Sequence, residues 1–391
     1  MSNSILTASQ ITREALRVLH QKLNFIGSIN RQYDDAFAKD GARIGNTLRI
    51  RLPNQYVVRT GATLSTQDTV EQSTSLTVST QKGVDLNFTS VDLTLSLDDF
   101  SERIIEPAMA VLSANVEADA MSMYQSVYNL VDNHGSAATF KGALTARKRL
   151  TDNLAPNDNR FMNLCTQDQV DLVDTLKGLF HDDHAISQQY KEGMLGRTAG
   201  FDFYENTLWP TPAPGAASGY VVNGSGQTGS SLVVMTGTGA MNAGDVFTIA
   251  GVYRVHPETK LSTGQLQQFV VTAAYTGGAG TVSISPAITP TGATQNVSNS
   301  PAASAVITMA GAPGTASGLS LAYHRDAFTF ATADLVMPKG IDFAAREVFD
   351  GISMRIVRQY DIVNDKFPCR LDILYGYLAT RAQWACRYNN N

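Results

Sequence analysis

Apolar and polar residues alternate through Leu48, Arg49, Ile50, Arg51 and Leu52, again at Leu76–Val78, and again at Leu93, Leu95 and Leu97. Period-two alternation predicts strands across 46–97, with the polar, Thr-rich segment Tyr56–Gln72 between them. A β-sheet with exposed loops or a long two-stranded arm would both give this text, and an arm would need a neighbour to pack on. Helical spacing appears first at 7–24, where Ile11, Leu16, Leu19 and Leu23 form a stripe, Thr7 and Gln10 fit a capping box and Gly27 marks a stop. The strongest helical pattern runs over 99–132 through Ile104, Met109, Leu112, Val116, Met123, Val127 and Val131. From Pro107 to Asp132 such a helix would be about 39 Å long, a spine rather than a layer of a bundle. Pro107 would kink it or sit in its first turn. Helix, strand and helix are predicted over Thr139–Leu150, Arg160–Thr166 and Gln167–Phe180. A loop follows to Gly200, then a strand from Phe201, and Pro210, Pro212 and Pro214 close the segment as a linker.

Between Ala216 and Ser320 the text changes. Asp245, Arg254, Glu258 and Lys260 are the only charged residues there, and 16 of the 31 glycines fall in this stretch. Short apolar runs at Ser231–Met235, Asp245–Ala250, Gln268–Ala273, Val282–Ser285 and Ala305–Met309 are separated by Gly, Ser and Asn. That pattern predicts a small antiparallel barrel or sandwich. Ordinary patterning resumes with strand-like Leu321–Phe330, Gly351–Asp361 and Phe367–Tyr377. The charge-poor segment therefore reads as a β domain of 216–320 inserted into a discontinuous host.

Composition narrows the function. At 391 residues and net charge −5, the chain can bury a full core and lacks the basic footprint of a protein that grips nucleic acid. Three widely spaced cysteines, Cys165, Cys369 and Cys386, form neither a disulfide framework nor a zinc motif. Met1–Thr7 has no basic n-region or apolar core of a signal peptide, and no apolar run approaches the roughly 20 residues that span a bilayer. Only His181-Asp-Asp-His184 looks like metal ligands, and without a third partner a solvated loop is expected. Gly237-Thr-Gly239 lacks both the βαβ unit and the Lys-Ser/Thr of a nucleotide loop. No nucleophile elbow is present, and no catalytic residue or cofactor is predicted. Charge is segregated instead. Residues 1–60 carry nine Lys or Arg against four acids, while 85–132 carry nine acids against Arg103 alone. Two solvated faces would explain this, and so would complementary faces on neighbouring copies.

Four motifs carry a resemblance, in order along nearly the whole chain: Ala199-Gly-Phe-Asp-Phe, Ala243-Gly-Asp-Val-Phe-Thr-Ile-Ala-Gly-Val, Leu321-Ala-Tyr-His-Arg-Asp-Ala-Phe and Arg370-Leu-Asp-Ile-Leu-Tyr-Gly. They resemble the coat-protein family of the short-tailed Salmonella phage P22. The resemblance implies an α+β fold of the Hong Kong 97 type: an N-terminal arm (1–44), an extended β arm or E-loop (45–97), a spine helix and peripheral domain (98–200), an axial domain (201–215 and 321–391) and an inserted barrel-like domain (216–320). It also implies a non-enzymatic major capsid protein of the virion, assembled in the host bacterial cytoplasm. Its partners would be itself in the hexamers and pentamers of an icosahedral shell, a scaffolding protein, a portal at one vertex, and double-stranded DNA enclosed without sequence-specific binding, with no membrane partner. The procapsid would expand on packaging. Arg43, Arg49, Arg51 and Arg59 are then expected to meet Asp98, Asp99, Glu102 and Glu106 of a neighbour. A β-rich glycan-binding, tail-fibre or adhesin protein is the alternative.

Overall fold

The computed structural model describes residues 23–32, 47–64, 66–69, 71–89, 106–176, 196–341, 343–349 and 352–391. These fall into two compact units. The first draws on residues up to 51, on 73–121 and on 328–380; the second is 52–72, 122–327 and 381–391.

The first unit is an antiparallel sheet organised by one 13-residue strand, Lys366–Leu378. One edge of that strand pairs with Thr80–Thr89 along most of its length. The other edge is shared by Ile352–Arg358 and Thr329–Ala333, and Phe343–Phe349 pairs outside Ile352–Arg358. Gly83 and Gly376 sit where the chain passes closely, since a Cβ on them would lie 2.6 Å from the Leu371 carbonyl oxygen and 2.2 Å from that of Thr77. The predicted spine begins as expected, with Pro107 in the first turn of helix Glu106–Met121 and Met109, Leu112 and Val116 buried. It does not reach Asp132. The helix gives way to a 3-10 turn at Ser122–Ser126, and Leu130–Asp132 is a strand. Val127–Asn129 is irregular, and the chain here is held to a sheet: the Asn129 amide donates to the carbonyls of Gln383 (3.1 Å) and Ala385 (2.9 Å), and Leu130–Asp132 pairs in parallel with Arg387–Asn389.

Gly27 is not the helix stop that the sequence suggested. Asn24–Ser28 is itself helical, and its first N–H groups, of Asn24 and Phe25, donate to Glu117 Oε1 at 3.1 and 2.8 Å. A carboxylate from a distant helix does the capping that no local side chain supplies. The 7–24 helix lies outside the described residues except at its last two positions.

In the second unit a six-stranded mixed sheet runs in the order Leu130–Asp132, Ala385–Asn390, Gly318–His324, Arg160–Leu164, Phe201–Glu205 and Arg197–Thr198. Helices Phe140–Asp152 and Thr166–Leu176 pack on it around Leu150, Met162, Leu164, Leu172 and Tyr388. Thr139 caps the first, accepting from the Gly142 N–H at 3.1 Å. The expected strand Leu321–Phe330 is broken into two by a 3-10 turn at Arg325–Ala327, where the Asp326 N–H donates to His324 Nδ1 at 3.1 Å.

All five strand runs foreseen in the charge-poor segment contain strands: four are longer than foreseen, at Gly229–Met235, Val246–Val255, Ser262–Val271 and Gly280–Ile288, and the last is shorter, at Ile307–Met309. With Val221–Val222 they form a six-stranded antiparallel sheet. Its two edges meet: Val222 N–H donates to the Ala305 carbonyl (3.0 Å) and Ile307 N–H to that of Tyr220 (3.0 Å), which nearly closes a small barrel. Phe247, Phe269, Ile249, Val271 and Ile284 fill the interior.

One buried carboxylate ties the mixed sheet together. Asp168 Oδ2 accepts from Ser320 Oγ (2.5 Å) and Asn390 Nδ2 (2.9 Å). Burial raises its pKa above the ordinary carboxylate value; those two donors offset the rise in part, and Asp171 adds to it. A raised folded-state pKa means stability present at low pH and lost as pH climbs through that pKa. Asp168→Asn keeps an acceptor for both donors. It should therefore melt no lower than the parent at pH 7 and show a flatter melting profile between pH 4 and 8; a parent-like slope would show that the carboxylate is not its source.

Candidate functional site

Among the described residues no three His, Cys, Asp or Glu side chains gather in a way that could hold a metal ion. His181 and His184 lie outside those residues. Cys369 and Cys386 are buried thiols whose pKa burial pushes up to about 11 and about 12, so neither is a thiolate near neutral pH. No described helix is long and apolar enough to cross a membrane. Gly237 and Gly239 face protein atoms: a Cβ on Gly237 would meet the Tyr220 ring at 2.6 Å, and one on Gly239 the Ala216 carbonyl oxygen at 2.0 Å.

The surfaces hold the more telling chemistry. Thr47–Leu52 pairs with Gln72–Thr77 as a two-stranded ribbon. Arg49, Arg51 and Arg59 are exposed on the ribbon and its connecting segment. Arg49 Nε donates to Ser73 Oγ at 2.8 Å, and the Arg59 guanidinium donates to the Gly61 carbonyl. The connecting segment turns its apolar side chains outward, with Val58 88% and Leu64 78% exposed. It is nonetheless braced: Val57 N–H donates to Gln67 Oε1 at 2.9 Å, and Gln67 Nε2 returns a bond to the Val57 carbonyl. Exposed apolar residues on a braced backbone are the composition of a contact surface.

Arg43, Asp98, Asp99 and Glu102 lie outside the described residues, and Glu106 opens the helix Glu106–Met121. All four of the acids in 85–132 whose side chains are described have work inside the chain. Besides Glu117, Asp85 pairs with Arg370 (2.9 Å), Asp119 takes Lys82 (2.7 Å) and the Tyr375 hydroxyl (2.5 Å), and Asp132 Oδ2 accepts the Gly311 N–H (2.8 Å). Charge counting could not separate these from acids free for a partner.

A second exposed apolar feature escaped the sequence reading. In the turn before Lys366, Ile362 and Val363 are 81% and 84% exposed. Asp361 fixes the turn by accepting from the Val363 N–H (3.0 Å) and Asn364 Nδ2 (2.7 Å). The run Asp361-Ile-Val-Asn-Asp reads as a strand end; only the Asp-x-x-Asn spacing hints at a turn.

The barrel is fastened to the mixed sheet rather than hung from it. The Gln268 amide bonds both backbone groups of Leu130, at 2.9 and 3.0 Å, as a strand neighbour would. Arg149 reaches Gln265 (3.0 Å), Arg254 reaches Asp152 (3.0 Å) and Arg387 reaches the Gly244 carbonyl (2.8 Å). Leu130, Val246 and Val270 form an apolar cluster beside them.

The sequence model of the family described as "P22 coat protein - gene protein 5" matches residues 29–385. No curated protein sequence matches. Among solved structures, that of Mycobacterium phage Che8 superposes with TM-score 0.51 at 11% identity, over 94% of this chain and 90% of that one. The mature capsid of bacteriophage PhiM1 aligns at 12% identity and TM-score 0.46, over 89% and 83%. The CUS-3 coat protein I-domain is 32% identical over 23% of this chain and 93% of its own, with TM-score 0.19.

Proposed function

Given that the chain belongs to the P22 coat protein family, and is a major capsid protein of a tailed double-stranded DNA phage with the α+β capsid fold, we propose that its copies join head to tail through the basic arm. It is a non-enzymatic component of the virion capsid and forms a shell with copies of itself. In this reading Arg49, Arg51 and Arg59 on the arm, with Arg43 before it, meet Asp98, Asp99, Glu102 and Glu106 of the next subunit. The observation that carries it is the exposed, braced arm that presents arginines beside bare Val58 and Leu64. A heterologous contact of this kind closes into rings when its rotation permits, which suits the hexamers and pentamers of an icosahedral shell. Opposite charges at its rim speed encounter and fix register. We further propose a scaffolding protein that directs a procapsid, a portal at one vertex, and expansion of the shell as DNA enters. The net charge of −5 fits a wall that encloses DNA without clamping its phosphates.

Reversing the arm charge tests this. Arg49→Glu with Arg51→Glu should leave the circular dichroism of the monomer unchanged and its melting close to the parent's, because both side chains are exposed and contacts at such positions, like the Arg49 bond to Ser73, are of modest worth. Closed particles seen by negative-stain microscopy should fall at least tenfold. Parent-like shells from the double variant would remove the arm from the interface and leave the capsid assignment standing.

A further inference from the structure

A cleft of about 640 Å³ opens in the second unit, in the size range of pockets that hold organic ligands or side chains. Its wall carries Arg254, Lys260 and Arg381 against one carboxylate, Glu258. Arg254 is only 7% exposed. Its Nη2 donates to Asp152 Oδ2 at 3.0 Å, but that same oxygen also serves Lys148 Nζ at 2.9 Å. The remaining Arg254 nitrogens, Nε and Nη1, have no partner among the described residues. Buried donors left without acceptors cost free energy, and a guanidinium left so is a standing demand for an oxyanion. Among the described residues Lys260 Nζ donates to the carbonyl of Gln295, at 3.3 Å, and burial lowers its pKa. Arg381 lies over the Trp384 ring, 4.2 Å from its centre, so the floor is aromatic as well as cationic.

We infer that this cleft docks an acidic segment of a second copy of the chain, and that Leu97-Asp-Asp-Phe-Ser-Glu102 supplies it. Charge complementarity selects the occupant: three carboxylates in six residues oppose the cationic surplus, and Phe100 suits the aromatic floor. The volume is far above the roughly 30 Å³ of a water and suits side chains rather than a lone ion. The inference rests on copies of the chain meeting in a shell and extends the proposed arm contact, since arm residues Leu52 and Tyr56 line the same cleft.

A synthetic peptide of residues 94–106, titrated into the purified full-length chain, tests it through Trp384 fluorescence; Trp209 is the only other tryptophan. Saturable binding is expected, weakened at least tenfold by Lys260→Glu with Arg381→Glu, and absent for a peptide carrying Asp98→Lys and Asp99→Lys. The milder pair Lys260→Gln, Arg381→Gln gives the same readout should the reversed pair melt lower than the parent. No saturable change, equal binding by both charge-removed pairs, or a response to inorganic phosphate alone would each overturn the inference. Peptide binding that survives in the Arg49→Glu, Arg51→Glu chain, together with normal shells from that chain, would uphold the cleft while sinking the arm contact.

Discussion

Arg160→Met should lower the stability of the second unit by about 3–5 kcal/mol, because it removes three hydrogen bonds from a charged group, each worth roughly 1.5–3 kcal/mol before the desolvation it spares, and leaves the Ala155 carbonyl buried without its donor. Arg160 is 2% exposed. Its Nε donates to the Pro156 carbonyl and its Nη2 to that of Ala155, both at 2.6 Å, while Nη1 reaches Thr151 Oγ1 at 3.0 Å. These acceptors lie at and just beyond the C-terminal end of helix Phe140–Asp152, where the helix dipole favours a cation. Leu154, in the left-handed region at φ 58°, turns the chain there, and Ala155 N–H returns to the Leu150 carbonyl at 3.0 Å. The guanidinium then holds that turn against the strand Arg160–Leu164. Methionine keeps most of the volume and leaves two carbonyls bare. For a unit of this size the loss corresponds to a melting temperature lower by about 10 °C. Arg160→Lys should fall between, since an ammonium cannot match a planar fork with three separated acceptors. A Met variant melting within about 2 °C of the parent would show that the carbonyls find other donors.

Nothing in the pattern of residues 150–164 marks Arg160 as internal. A charged residue at the head of a predicted strand reads as solvated, and only tertiary structure supplies the three oxygens that admit it. The same blindness hid strand Ala385–Asn390, all of it buried although Arg387, Asn389 and Asn390 make it polar on paper. Those side chains are placed by partners far away in sequence: Arg387 by the Gly244 carbonyl and Asn390 by Asp168. The barrel was legible for the opposite reason. Its strands alternate against their own interior, and Gly, Ser and Asn punctuate them, so both signals are local. The spine was legible where packing repeats every helical turn, from Met109 to Val116. Past Met121 the apolar residues continue, but their backbone partners belong to a sheet. On the assembly surface, the arm's arginines were visible as charge; which acids remain for a neighbour was not, because Glu117 and Asp119 are taken up inside the unit.

Gly239→Ala should be nearly as costly as the loss of Arg160, and it bears on how the barrel is attached. The chain enters the barrel at 215–217 and passes itself again at 237–240. Ser218 and Thr238 exchange backbone hydrogen bonds there, at 2.9 and 3.0 Å, and the Tyr220 hydroxyl donates to the Gly239 carbonyl at 2.6 Å. Gly239 has φ 81°, and a Cβ on it would lie 2.0 Å from the Ala216 carbonyl oxygen and 2.5 Å from its carbon. Gly215 faces the returning chain in the same way, since a Cβ on it would lie 2.1 Å from the Ala240 carbonyl oxygen. Two penalties therefore combine. The left-handed backbone costs a Cβ about 1–2 kcal/mol, and the clash with backbone that cannot rotate away adds about 1–3 kcal/mol. Gly251 separates them. It has nearly the same φ, 79°, but open space around its would-be Cβ. Gly251→Ala should thus lose only the conformational part, about 1–2 kcal/mol, and leave shell yield near that of the parent. Gly239→Ala should lose about 2–5 kcal/mol by the sum of the two penalties, loosen the neck, and lower the yield of closed particles. Chemical denaturation of the three chains side by side reads the difference directly. Equal losses at the two glycines would mean that the neck yields without cost, and that the barrel is held by the Gln268, Arg149, Arg254 and Arg387 bonds and the Leu130 cluster.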